Sequence, residues 1–184
     1  VVRALLDAGA EVNSFTDWDI TPLQEAAESN PDIRVSRALI EAGAYVNGSD
    51  ESGRNAVLKA FANPNPDVLF ALLEAGGNPN ALGYYQRTPP LLLTDDPKTL
   101  HALLDAGADV TMDIENGMKP IHGAFSPEQV SVFLEAGADA SARVNDGRTP
   151  LHYKKSADAV RMLIRAGADV NARDKRRSTP LHMH

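Results

Sequence analysis

The chain has 184 residues, with 25 Asp and Glu against 18 Lys and Arg and no Cys, for a formal net charge of −7. That composition excludes disulfides, thiolate zinc sites and cysteine nucleophiles. No apolar run approaches the roughly 18 residues that a membrane helix needs, and no signal-peptide pattern is visible.

The charge is uneven. Residues 143–184 hold ten Lys and Arg against four acids, a local +6, which leaves −13 on residues 1–142. The acidic body disfavours nucleic acid and anionic membranes as main partners. These features sit with a cytoplasmic location.

In chain order one phrase recurs six times: LLDAGAEVN, LIEAGAYVN, LLEAGGNPN, LLDAGADVT, FLEAGADAS and LIRAGADVN, with its first glycine at Gly9, Gly43, Gly76, Gly107, Gly137 and Gly167. A second phrase lies between: TPLQ, NAVL, TPPL, KPIH, TPLH and TPLH, its second residue always 13 after the glycine. Length therefore varies only from the second phrase to the next glycine. The period falls from 34 to 30 residues along the chain.

Each period predicts two helices. Thr-Pro places an N-cap before a first-turn proline. The second helices start at Asn30-Pro31, Asn65-Pro66, Asp96-Pro97 and Ser126-Pro127, and at Ser156 without a proline. Ser126 and Gln129 fit a capping box. Val130, Phe133 and Leu134, and likewise Val160, Leu163 and Ile164, recur at helical spacing. The helices stop at Ala-Gly, where glycine takes the left-handed C′ position. Asn116-Gly117 and Asp146-Gly147 suit hairpin tips.

These two phrases at this period resemble the ankyrin repeat, over essentially the whole chain. The resemblance implies an all-α solenoid of stacked helix–turn–helix units with projecting β-hairpin loops in a curved array. Full repeats are expected at 16–48, 49–81, 82–112, 113–142 and 143–172. Residues 1–15 read as the second helix and loop of a partial repeat, and 173–184 as the opening of another. The array is thus expected to run beyond the chain. Ala56 stands for the motif proline, Lys119 for the motif threonine, and the alanine pair after the histidine is mostly missing. The shortening falls on the first helices of the later repeats, which should be brief. Such short periods are similar to those of many bacterial ankyrin-repeat proteins.

Candidate chemistry is sparse. His122, His152 and His182 share one motif place, which the resemblance assigns to hydrogen bonds within and between repeat openings. They are spaced too widely to share one metal ion. His182-Met183-His184 continues the motif, and His101 reads as a surface or packing residue. Asp96 of Asp95-Asp96 reads as an N-cap. Asp109, Asp139 and Asp169 recur with the repeat and read as structural. No phosphate-binding loop, serine elbow or zinc-helix motif is present. The expectation is therefore no catalytic, cofactor or metal residue, no cofactor, and no enzyme activity.

The hairpin tips are free to vary with a partner. Two positions per tip give Asp17 and Trp18, Glu51 and Ser52, Tyr84 and Tyr85, Glu115 and Asn116, Asn145 and Asp146, and Lys175 and Arg176. Trp, Tyr and Arg dominate interface hot spots. Phe15, at a turn entry, is expected to pack beneath its hairpin. The tips run from acidic at Asp17, Asp19, Asp50 and Glu51 to basic at Arg173, Lys175, Arg176 and Arg177. The expected function is a monomeric protein–protein interaction module that binds a partner protein on its concave face. The alternative is a scaffold segment of a larger multidomain protein, or of a secreted bacterial effector delivered into a host cell, whose activity lies elsewhere.

Overall fold

The computed structural model describes residues 1–83 and 87–183. The chain falls into two compact units, Val1–Pro90 with Asp105–Gly107, and Leu91–Leu104 with Ala108–His184. Each is a stack of short helix pairs of the solenoid type. No described helix is long and apolar enough to cross a membrane.

In the first unit the helices are α1 (Val2–Asp7), α2 (Pro22–Ser29), α3 (Ile33–Glu41), α4 (Ala56–Ala60) and α5 (Asp67–Glu74). Thr21 and Gln24 make the capping box that starts α2: Gln24 N donates to Thr21 Oγ1 (3.3 Å) and Thr21 N to Gln24 Oε1 (2.7 Å). Asn55 caps α4 through Leu58 N (3.0 Å). First helices pack on first helices (α2 on α4) and second on second (α1 on α3, α3 on α5). Leu23, Ala27, Ala56, Val57, Val68 and Leu72 are fully buried there. A pair cannot bury its apolar face alone, so stacking supplies the second wall.

In the second unit the second helices are α6 (Pro97–Asp105), α8 (Pro127–Glu135) and α9 (Ala157–Arg165). The first helices are reduced to α7 (Pro120–Gly123) and to 3₁₀ turns at Pro90–Leu92, Pro150–His152 and Pro180–Met183. This is the brevity that the shortened period predicts. Leu92 Cδ1 lies 2.7 Å from where a Cβ on Gly123 would stand, so a side chain there would displace that leucine tip. Phe133, Leu100, Leu103, Ile121 and Leu163 form the core.

The helix stops follow the motif. After α8, Gly137 takes φ +90°, its N–H donates to Leu134 O (3.0 Å), and Ala138 N donates to Phe133 O (2.8 Å). That is the Schellman pattern.

The starts hold at Asp96, Ser126 and Ser156, whose side chains accept from Thr99 N, Gln129 N and Ala159 N. The start at Asn65 holds as well: its side chain accepts from Asp67 N (3.1 Å), with Pro66 already in the helical region. One expected start is corrected. Asn30 does not cap α3 directly: its side chain accepts from Asp32 N (2.9 Å), closing a local turn, and Asp32 then caps α3 through Arg34 N (3.1 Å). At Asn30 this side-chain bond to the backbone competes with helix initiation.

Candidate partner-binding site

The tips are built as turns rather than strand pairs. Among the described residues the sole β-bridge joins Glu115 and Met118. Four tips share one geometry, in which the first residue's N–H donates to the carbonyl four residues on and its own carbonyl accepts from the N–H three residues on. These are Thr16–Ile20, Asp50–Arg54, Val144–Arg148 and Asp174–Ser178, with N···O distances of 2.8–3.1 Å. The fourth residue has positive φ: Asp19 58°, Gly53 74°, Gly147 87° and Arg177 64°. The tip at Ile114–Met118 instead places both Asn116 (φ 56°) and Gly117 (φ 80°) in the left-handed region, the twist that a two-residue hairpin requires.

Side chains fix these turns from within. The buried Asp50 carboxylate accepts from Ser52 N and Arg54 N (2.9 Å each), and the buried Asp174 carboxylate from Arg176 N (2.9 Å) and Ser178 N (2.8 Å). In the first tip the Thr16 hydroxyl does this for Trp18 N and Ile20 N, at 3.3 Å each. Burial alone would raise the Asp50 and Asp174 carboxyls. The backbone N–H groups, with Lys59 beside Asp50 and Arg148 beside Asp174, outweigh it and hold both below the usual range.

Successive tips are tied backbone to backbone. Glu51 N donates to Trp18 O (3.3 Å), Asn145 N to Asn116 O (2.8 Å) and Lys175 N to Asp146 O (2.8 Å). All six belong to the tip positions singled out from sequence. Their backbones are committed to the stack while their side chains face outward. Asp17, Trp18, Glu51, Glu115, Asn116, Asn145, Asp146, Lys175 and Arg176 are exposed and Ser52 is half-buried. Tyr84 and Tyr85 lie outside the described residues. Phe15 departs from expectation: it is 72% exposed rather than tucked beneath its hairpin. The inside of that turn is taken by the Thr16 hydroxyl, and Phe15 precedes the closing bond.

The histidines act as the resemblance implies. His122 Nδ1 accepts from Lys119 N (3.1 Å), which leaves Nε2 to donate to Ala142 O (3.0 Å). His152 repeats this with Thr149 N (3.1 Å) and Ser178 O (3.2 Å), and His182 accepts from Thr179 N (3.2 Å). Burial holds the His122 imidazole below its ordinary value, in the neutral form this tautomer requires. Gln24 fills the same place in the first unit, donating to Gly48 O (2.8 Å) and Arg54 O (3.2 Å). His101, exposed, hydrogen-bonds back to its own helix at Pro97 O (2.7 Å). The hydroxyl and N–H of Thr99 lower the Asp96 carboxyl, as befits a cap.

Two buried amines escaped the sequence reading. Lys59 Nζ lies 2.8 Å from Glu28 Oε2 and 3.1 Å from Asp50 Oδ2. Lys154 Nζ donates to His122 O (2.8 Å) and Ala124 O (2.7 Å), and burial pushes its ammonium down to about 8. Lys154 stands two places after the motif histidine, where Ala26, Ala60 and Ala124 stand in other repeats. A lysine in a place that three other repeats give to alanine was the available signal.

A family model described as ankyrin repeats (3 copies) matches residues 93–174. Human SH3 and multiple ankyrin repeat domains protein 1 is 33% identical over 127 residues, 67% of this chain and 6% of that protein. Putative ankyrin repeat protein R664 of Acanthamoeba polyphaga mimivirus is 31% identical over 93 residues, 47% of this chain and 56% of that protein. The chain therefore spans only a small part of the first relative. Among solved structures, the ankyrin repeat domain of Bcl-3 superposes with a TM-score of 0.76 at 29% identity, covering 99% of this chain and 85% of that one. The human ASB11 ankyrin repeat domain gives 0.79 at 21% identity, with 98% and 84% covered, a likeness of fold alone.

Proposed function

The chain belongs to the ankyrin-repeat family, and from that premise we propose that it is a non-catalytic protein–protein interaction module whose contacts come from the hairpin tips and first helices. Ankyrin repeats are generally protein-binding modules, and function on such a scaffold lies in the surface residues it carries. One observation carries the reading. Tip backbones are bonded to one another, at Trp18–Glu51, Asn116–Asn145 and Asp146–Lys175, while the side chains of these residues are left to solvent. Such rows are pre-organised, so a partner meets side chains whose backbone is already ordered. The proposed repeats are 16–48, 49–81, 82–112, 113–142 and 143–172, with partial repeats at 1–15 and 173–184. The proposed contacts include Tyr84 and Tyr85. The module is proposed to act as a monomer in the cytoplasm.

A second reading has its own support. The chain matches only 6% of the length of human SH3 and multiple ankyrin repeat domains protein 1, a protein named for several kinds of domain. On this reading the module is one scaffold segment whose output lies in other domains.

The test is paired capture from source-cell lysate with the chain and with a Trp18→Ala, Tyr84→Ala, Tyr85→Ala variant of equal melting temperature. A protein held by the first and lost by the second supports tip-mediated binding. Equal capture overturns it in favour of the first helices or the basic end.

A further inference from the structure

The first tip differs from its equivalents in three respects. Phe15 (72%) and Trp18 (66%) are the two large apolar side chains flanking one turn, and both are exposed. Beside them lies an open groove of about 340 Å³ lined by Phe15, Thr16, Ile20, Pro22 and Glu25 among others. Phe15, Ile20 and Pro22 supply its apolar surface, and Ser14, Thr16, Thr21 and Glu25 its polar groups.

The acids around this groove are not neutralised by neighbours. Residues 1–33 hold seven Asp and Glu and a single base, Arg3, which is engaged by Glu41. The nearby cations are likewise taken. Arg34 bonds Asp32 (2.7 Å), and Lys59 lies between Glu28 and Asp50. Among the described residues Asp17, Asp19 and Glu25 have no cationic partner.

The backbone supplies an independent observation. Asp19 sits at φ 58°, where the equivalent places hold Gly53 and Gly147 in two other tips and Arg177 (φ 64°) in the fourth, so a carboxylate stands here alone. Glycine is the residue that adopts this conformation without steric cost. A carboxylate is kept there instead, on an exposed turn, with no described partner. Thr16 and the bond from Glu51 N to Trp18 O hold the turn in place, so the charge and the indole are presented on fixed backbone.

We infer that the first tip docks a basic–apolar polypeptide segment of the partner. An apolar side chain enters the groove between Phe15, Ile20 and Pro22, and an Arg or Lys lies against Trp18 with Asp17 and Asp19 as its counter-ions. Arg and Lys are attracted to the face of an indole ring, and paired carboxylates add to that attraction. This deepens the proposed function and rests on it, by stating the chemistry of the partner.

A phage-displayed library of random linear peptides, selected on the intact chain, tests it. The expected winners carry an apolar residue beside Arg or Lys and bind more weakly as salt rises. Trp18→Ala weakens their synthetic copies about tenfold or more. Asp19→Gly weakens them about three- to tenfold while the melting temperature holds or rises, because glycine relieves the backbone. That variant separates binding from folding. Winners that are acidic or neutral, or indifferent to both substitutions, overturn the inference. If they instead depend on Lys175 and Arg176, tip-mediated binding stands and this site falls. If neither unmodified nor substituted tips select anything, both readings fall. Concentration-dependent self-association in sedimentation velocity, abolished by Trp18→Ala, assigns the groove to a second copy and also overturns the inference.

Discussion

The two units solve one problem with different chemistry. Their first helices differ in length: α2 has eight residues and α4 five, whereas the second unit offers α7 with four and 3₁₀ turns of three at Pro90–Leu92 and Pro150–His152. Every such helix ends on carbonyls with no partner inside it. In the first unit the neutral amide of Asn63 reaches Ala26 O (3.3 Å), Ala27 O (2.9 Å) and Asn30 O (3.0 Å). In the second, Gln129 reaches Leu91 O (3.0 Å) and Thr94 O (2.8 Å), and the Lys154 ammonium reaches His122 O and Ala124 O. Loop ties differ too. Asn13 and Asn47 each bridge to the next loop, with Nδ2 to Gly43 O (3.1 Å) or Gly76 O (3.0 Å) and Oδ1 from Tyr45 N (2.8 Å) or Asn78 N (2.7 Å). Ser141 holds the corresponding place in the second unit, and its N–H bonds locally to Asp139 (2.8 Å). The lesson is that a repeat can lose a helical turn if a neighbour's side chain takes over its backbone bonds.

The largest expected effect lies in the first unit. Lys59 is 1% exposed and its ammonium faces two carboxylates, one of them the buried Asp50. Lys59→Met leaves Asp50 in the interior without its main cation, and removing one member of a buried pair costs about 3–5 kcal/mol. Urea denaturation should show a loss of that order. A loss below about 1 kcal/mol would mean that Arg54, whose Nε lies 3.6 Å from Asp50 Oδ2, compensates.

The loop ties give a smaller, paired prediction. Asn47→Ala removes two inter-loop hydrogen bonds and should cost about 1–3 kcal/mol. Ser141→Ala removes no described inter-loop bond and should stay within about 0.5 kcal/mol. Equal costs in thermal denaturation would erase this distinction between the units.

What the sequence made legible was local. The C′ glycines, the Thr21 N-cap, the Ser126 capping box, the brief first helices and the outward tips each depend on residues within a few positions of one another. Local spacing alone therefore locates them. The misreadings were of two kinds. At Asn30 two local motifs competed, and the turn won over the cap. At Lys59 and Lys154 the deciding partners, Glu28, His122 and Ala124, come from the preceding repeat, about 30 residues away. Nothing in the spacing of a lysine states whether its neighbour will present carboxylates, carbonyls or water. Phe15 failed for a related reason, since a Thr hydroxyl rather than an aromatic ring fills that turn.

The smallest effect separates the two buried amines by pH. Among the described residues Lys154 has no carboxylate partner, only two carbonyls and the edge-on pair of His122 and Tyr153 nearby, whose ring centroids are 5.9 Å apart. Carbonyls carry no formal negative charge, so they do not offset burial of the ammonium as a carboxylate would. The folded-state value of about 8 lies below the ordinary 10.5. Between these values the unfolded chain holds the extra proton, so stability rises with pH across the window. The gain between about pH 7 and pH 9 should be about 1 kcal/mol. Burial raises the Tyr153 phenol away from this range, but charges elsewhere in the chain still change with pH. The measurement is therefore the difference between the chain and Lys154→Met in urea titrations at each pH, which cancels contributions the two proteins share. The difference should shift toward the unmodified chain as pH rises. A flat difference would mean that the amine is as well hydrated in the fold as outside it, and that the short repeat is closed by water rather than by this lysine.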